Sequence, residues 1–525
     1  MAATVIRNGF VVDGTGAPGF DGDVVVDGDR IVDVLRRDAG KDDSRFRDFD
    51  CIDAAGCIVS PGFIDAHAHS DAYLVIEPSA PSKITQGITT EINGQCGGSV
   101  APRYGEARLS SDWAALLGDR LTWRSLAEYR EVLSSAKPAV NTVQFVGHNT
   151  LRSSVVGYSG RPCTDDELRN MERLLAESLD AGGWGLTTGL IYQPGKYSTP
   201  DEVVALARVA AARGGYYATH MRSEGDRILE AIDEVIELAR ETGIRAEISH
   251  LKTSGRRNWH KIDAVLEKIE RAVGNGDLLG SDRYPFCAAG TDLDVVFPDW
   301  AGEGGCPAEC ARLADSATRA RIVDEIDNCG RDWSTVMIGG TWSEATKPFS
   351  GKTVSEILSR NNSSPGELIC RILELDGCKT GAFFFGMSED NLDKILAKPW
   401  IVPGSDASLR APWGPLGADH PHPRAYATMP EFYRRVRSLG FTREAAIARM
   451  TSVAADRFGI RHRGRIATGE FADIAVWRED EFRSNATYLA PHKFTGGVKA
   501  VMVNGETGYL DGLFTGVRSG RFLER

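Results

Sequence analysis

Eight short apolar runs recur along the middle of this chain, and helix-like stretches fall between most of them. The runs are "CIVSPGFIDAH", "ITTEIN", "NTVQFVGH", "GWGLTTGL", "GYYATHM", "IRAEISHL", "LLGSDRYPF" and "WIVPGSD". Few architectures accommodate that alternation, and a (β/α)8 barrel with insertions is the α/β fold it predicts. A doubly wound sheet is the structural alternative, but no GxGxxG turn follows an early strand to support it. The helices carry their own signals. Thr164 precedes the acids of "DDELRNMERLLAESLD" as an N-cap, and Pro200 opens the helix that follows Thr199. "EGDRILEAIDEVIELARETG" spaces its apolar residues at helical period.

The ends of the chain read differently. "TVIRNGFVVDG" and "GDVVVDGDRIVDV" near the start, and "FADIAVW" and "VKAVMVNGE" near the end, are strands separated by tight turns. They predict a small β-sandwich built from both termini, residues 1–60 and 459–525, around a barrel at 61–458. The stretch 287–345 is long for one connection and is expected to form an excursion over the barrel mouth.

A chain of 525 residues with 42% hydrophobic content can bury a large core. Its net charge of −12 and its lack of a Lys/Arg run argue against nucleic acid as a partner. No basic amphipathic helix, long apolar span or secretory leader is read, so a cytoplasmic protein with no membrane partner is expected. The ten cysteines do not read as a disulfide scaffold, and Cys306 and Cys310 in "CPAEC" are taken as reduced thiols.

In a barrel, chemistry collects at the C-terminal strand ends. His67 and His69 follow the first predicted strand and Cys96 the second; His148, His220, His250 and Asp406 end the third, fifth, sixth and eighth. Residues i and i+2 of a strand point to one side, so both imidazoles of "HAH" can face one ion. Imidazole, thiolate and carboxylate suit zinc well, and iron or cobalt less specifically. Taken singly, each has a bland explanation: a buried thiol, a core histidine, a turn aspartate. Their shared strand-end register favours a metal site. His148 is read as supporting or structural, and the Pro-interrupted His420 and His422 are not read as ligands.

"VSPGFIDAHAHSD" resembles the first-strand signature of the amidohydrolase superfamily. "INGQCGGSVAP", "THMRSEGDRI", "EISHLKTSGRRNW", "GSDAS", "HPHPRAYATMPEF" and "RGRIATGEFADIAVW" resemble its N-acyl-D-amino-acid deacylase (D-aminoacylase) branch, in family order over nearly the whole chain. The resemblance implies a zinc-dependent hydrolase acting on N-acyl-D-amino acids, small molecules. It implies Cys96, His220 and His250 as ligands of one tight zinc, with His67, His69 and Asp406 at a second, weaker position. Many superfamily members bridge two metals with a carboxylated lysine on strand 4. Here "WGLTTGLIY" has no lysine, and Cys96 is the substitute typical of the branch.

Asp406 is expected to take a proton from the attacking water and return it to the leaving amine. Lys252 is expected to hold the substrate α-carboxylate. Tyr192 and Tyr284 match tyrosines that resemble substrate contacts, and Arg410, four residues after Asp406, is a further carboxylate candidate. Arg222 and Glu224 are read as an internal ion pair. Asp292 and Asp294, with no arginine between 287 and 312, favour a neutral or apolar substrate side chain. Cyclic-amide or dipeptide hydrolysis, or a non-catalytic scaffold, are the alternatives. The missing strand-4 lysine counts against the first, and the full ligand set against the last.

Overall fold

Gly62 divides the first predicted strand in two. The computed structural model, which describes residues 3–37, 46, 48–109 and 113–525, places Ile58–Pro61 in one sheet and Phe63–Asp65 in another. A Cβ on Gly62 would lie 2.2 Å from the Thr89 side chain, so only glycine lets the two sheets meet here.

Eight parallel strands form the barrel: Phe63–Asp65, Ile88–Asn93, Asn141–Gln144, Gly185–Gly189, Tyr216–His220, Arg245–Ile248, Leu279–Arg283 and Ile401–Pro403. Two junctions close it. Val146 and Gly147 continue the third strand and pair with the fourth. The eighth strand meets the first through Ala66 N–H to Pro403 O at 3.0 Å and Asp406 N–H to His67 O at 2.8 Å. Helices cover the outside, with local starts and stops that follow the sequence. Thr164 and Glu167 form a reciprocal capping box on Asp165–Asp180, and Ile228–Thr242 ends at Gly243 in the left-handed conformation.

Strands from both termini share one nine-stranded sheet, in which Ile58–Pro61 lies between Ile474–Trp477 and Thr4–Val11. Its strands alternate in the usual period of two. Val59, Ile474, Val476, Ala500 and Met502 face a core of their own, whereas Ile58, Ala475, Trp477, Val501 and Val503 join the barrel's core. The terminal sheet is thereby packed onto the barrel.

The excursion between the seventh and eighth strands is longer than expected. Its three-stranded sheet pairs Ala289–Asp292 and Val336–Ile338 with Gly381–Phe384, so it extends to about residue 385 rather than 345. Helices Ser316–Asp327 and Pro365–Leu375 give it a separate apolar core. The closing strand is remote in sequence, which hid the extent of the unit. Within it, Cys310 Sγ lies 3.6 Å from Cys378 Sγ, and all ten cysteines are free thiols. No helix among the described residues is long and apolar enough to cross a membrane.

Candidate active site

Three residues that follow barrel strands take left-handed backbone conformations: Cys96 (φ 53°), His250 (φ 37°) and Asp406 (φ 49°). Such a conformation costs a non-glycine residue about 1–3 kcal/mol and persists only where surrounding bonds impose it. All three contribute a donor atom to one close group. Asp406 is held by its N–H to His67 O, and His250 by its N–H to Asp282 Oδ1 at 3.0 Å. The Cys96 loop rests on the end of the fourth strand. A Cβ on Gly189 would lie 2.1 Å from the Cys96 carbonyl oxygen, so a glycine there makes room for the thiol loop.

One donor atom each from His67, Cys96, His250 and Asp406 lies within 4.8 Å of the others. Cys96 Sγ is 3.3 Å from both His67 Nε2 and His250 Nε2. His69 stands at the outer edge, its Nε2 3.1 Å from Asp406 Oδ1. A second group of His220, Glu224 and His250 adjoins the first through His250. Both ring nitrogens of His220 are buried without a well-formed hydrogen bond, Nε2 standing 3.4 Å from Glu224 Oε2. Buried polar groups seldom go unpaired, so such a ring fits a metal ligand. The donor set of imidazoles, thiolate and carboxylates is one that zinc accepts.

The field of the site favours anions at the donor positions. Burial alone would raise the Cys96 thiol, but the His67 and His250 rings outweigh it and hold it well below its usual range. Burial also opposes ionisation of Asp406. Arg424, together with the rings of His250, His69 and His67, outweighs that effect and keeps the carboxyl well below the ordinary carboxylate value.

Of the groups that build this site, Asp282 and Arg424 were not singled out from the sequence, and Glu224 was expected with a different partner. Asp282, in the seventh strand, accepts from His67 Nδ1 at 3.1 Å while also holding His250. It stands between Ser281 and Arg283 in the strand LGSDR, so residue type alone did not mark it out. Glu224 lies 2.9 Å from His250 Nδ1 and contacts Lys252 Nζ. The expected Arg222–Glu224 pair does not form, because Arg222 reaches Glu234 at 3.0 Å. Arg424 was also missed. Its Nη1 is 2.8 Å from Asp406 Oδ2 and its guanidinium lies 4.7 Å from the Tyr284 ring.

The expected substrate contacts are spread unevenly. Tyr192 lines the cavity, its ring 5.0 Å from that of His220. Tyr284 is buried with its hydroxyl unpartnered and its ring beside Arg283, Arg424 and Lys252; neither Tyr284 nor Lys252 is part of the cavity lining, which Arg424 joins. Lys252 is itself engaged by Glu224 and His250. Arg410 lines the cavity but faces Asp419 at 2.8 Å. His148 lies away from the donor groups, paired with Glu202 at 2.8 Å. His422 Nε2 meets Ala288 O at 3.0 Å, and neither it nor His420 belongs to a donor group among the described residues. The cavity wall contributed by the excursion includes Lys347 and Lys379, beyond the stretch on which the side-chain expectation rested.

The chain is similar over nearly its whole length to known proteins. An N-acyl-D-glutamate deacylase of Alcaligenes xylosoxydans xylosoxydans is 35% identical over 95% of this chain and 92% of its own. A D-aminoacylase of the same organism is 31% identical over 99% of this chain and 97% of its own. The crystal structure of N-acyl-D-glutamate deacylase from Bordetella bronchiseptica, complexed with zinc and a phosphonate mimic of the tetrahedral intermediate, superposes with a TM-score of 0.83 at 30% identity, covering all of both chains. The sequence matches the amidohydrolase family profile over residues 50–509. With its strand-end donors, closed barrel and terminal sheet, this chain belongs to the amidohydrolase family.

Proposed function

We propose that this protein is a zinc-dependent deacylase that hydrolyses N-acyl-D-amino acids to a carboxylate and a free D-amino acid. The observation that carries the reading is the convergence of Cys96, His67, His250 and Asp406, with the Arg424 guanidinium 2.8 Å from Asp406 Oδ2 and in the cavity wall. Full-length similarity to deacylases of D-amino-acid derivatives supports it. Bound zinc polarises an amide carbonyl and lowers the pKa of a coordinated water.

The chain's own residues do the rest. Cys96, His220 and His250 hold the tight ion; His67, His69 and Asp406 serve the weaker position. Asp406, kept anionic by Arg424, accepts the proton of the attacking water and delivers it to the leaving amine. Arg424, Tyr284 and Lys252 receive the α-carboxylate. The unpartnered Tyr284 hydroxyl, on a ring surrounded by Arg283, Arg424 and Lys252, supports that assignment. Tyr192 borders the reacting amide, and Arg410 braces the outer wall. Ten free thiols, one of them at the centre, suit a reducing compartment, and we assign the enzyme to the cytoplasm.

The test is amine release from paired N-acetyl-D- and N-acetyl-L-amino acids after chelation and reloading. We expect cleavage of D substrates alone, restored by one equivalent of zinc. Equal cleavage of L substrates, or silence with metal bound, overturns the substrate class and points to cyclic amides or dipeptides. Failure to bind metal at all revives the scaffold reading.

A further inference from the structure

The cavity above the donor groups encloses about 590 Å³. That is a volume for a drug-sized ligand, far more than an acetyl group needs. Its walls differ in chemistry. Over strands 7 and 8 lie most of the charged groups, including Lys379 and Arg424, interleaved with Trp342 and Phe383. Over strands 1 and 2 lie Tyr73, Trp113 and Leu116, closed by Leu416 from the eighth-strand loop, with the Arg410 guanidinium, paired to Asp419, 4.6 Å from the centre of the Tyr73 ring at the lobe's edge. Tyr73, Trp113 and Leu416 are buried against the barrel's core. The Tyr73 and Trp113 rings meet edge to face with centroids 6.0 Å apart, which stiffens this lobe. Tyr73 follows His69 by four residues, so the lobe begins where the donor groups end.

The connectivity of an N-acyl amino acid decides which wall takes which part. The α-carboxylate and the side chain leave from the same carbon, on the amine side of the scissile bond. With the carboxylate at Arg424, both stay over strands 7 and 8. The acyl group leaves from the carbonyl carbon and has the remaining wall. We propose that Tyr73, Trp113, Leu116 and Leu416 form an acyl-chain subsite that selects medium-length apolar acyl groups over acetyl. The proposal rests on the deacylase reading and adds to it the nature of the leaving acid.

The experiment compares kcat/KM for the N-acetyl, N-butanoyl and N-hexanoyl derivatives of one D-amino acid, using zinc-loaded full-length protein. D-Leucine and D-glutamate are tried first to find the better amine half. Each added methylene buried in the lobe is expected to raise kcat/KM about fourfold. Leu116→Trp, which fills the lobe, is expected to lower the hexanoyl-to-acetyl ratio at least tenfold. A series that is flat or falls with chain length overturns the subsite while leaving the deacylase reading intact. A Leu116→Trp variant that loses both substrates alike, with the ratio unchanged, overturns it too, and Leu416→Trp provides a second filling variant if the first does not fold. No hydrolysis at any chain length, with zinc bound, overturns the deacylase reading itself.

Discussion

His67 Nδ1 lies 3.1 Å from Asp282 Oδ2, and the other oxygen of the same carboxylate receives the backbone N–H of His250 at 3.0 Å. One acid in the seventh strand thus orients a side chain from the first and a loop from the sixth. With Nδ1 committed to Asp282, the Nε2 of His67 is left facing Cys96 at 3.3 Å. Outer carboxylates of this kind raise the basicity of metal-binding imidazoles. Asp282→Asn is expected to weaken metal affinity roughly 10- to 100-fold. Competition against a chelator of known affinity measures this, and an unchanged affinity removes Asp282 from the metal's support.

Asp406→Asn keeps the volume and removes the base. Turnover is expected to fall by about 10²- to 10⁴-fold while the tight metal is retained, because Cys96, His220 and His250 are untouched. Metal content and kcat are measured on the same preparation. An active asparagine variant refutes the proton-transfer role.

Arg424 sits against both Asp406 and Tyr284. Removing one member of a buried charged pair weakens the partner's interactions substantially, so Arg424→Ala is expected to lower kcat/KM by about two orders of magnitude. The loss should shrink for a substrate whose α-carboxylate is replaced by an uncharged amide. An equal loss on both substrates shows that Arg424 acts only through Asp406.

Asp294 and Glu309 face each other in the excursion, and burial raises each carboxyl to about 7, helped by the charge of Glu309 at Asp294 and by that of Asp292 at Glu309, where the hydrogen bond with Asp294 acts the other way. Both values lie above those of an unfolded chain, so the folded state holds a proton that the unfolded state releases. The stability this confers is complete below about pH 4 and is lost as pH rises through about 7. Thermal unfolding across that window is expected to show a falling midpoint in wild type and a flatter profile in Glu309→Gln. Parallel profiles exclude the pair as the source.

Lys83 is fully buried between Asp65 and Glu91, 2.9 Å from each. It also donates to Ser405 Oγ at 3.1 Å and Ala407 O at 2.9 Å, which ties the first, second and eighth strands beneath the site. Lys83→Met leaves two buried carboxylates without their counter-charge and is expected to cost about 3–5 kcal/mol. Urea unfolding measures it. A loss under about 1 kcal/mol means the carboxylates find protons or other partners.

Much of the barrel was legible because its signals are local. Apolar runs, N-caps such as Thr164 and the glycine after Thr242 depend on neighbours within a few residues, and the observed elements follow them. The register of His67, His69, Cys96, His220, His250 and Asp406 at strand ends was legible for the same reason. The split at Gly62 was not, because the Thr89 side chain that forces it comes from the next strand. Nor was the length of the excursion, whose last strand pairs across about ninety residues of chain.

The sequence by itself determined the kinds of donor available and the strand ends from which they project, since both follow from residue type and backbone period. Only the tertiary structure decided how they are held and what stands beside them. Asp282, Glu224 and Arg424 act through contacts made after the chain closes on itself. Hydrogen bonds and ion pairs reach only a few ångströms, so the charge balance of the site exists only once remote strands are adjacent.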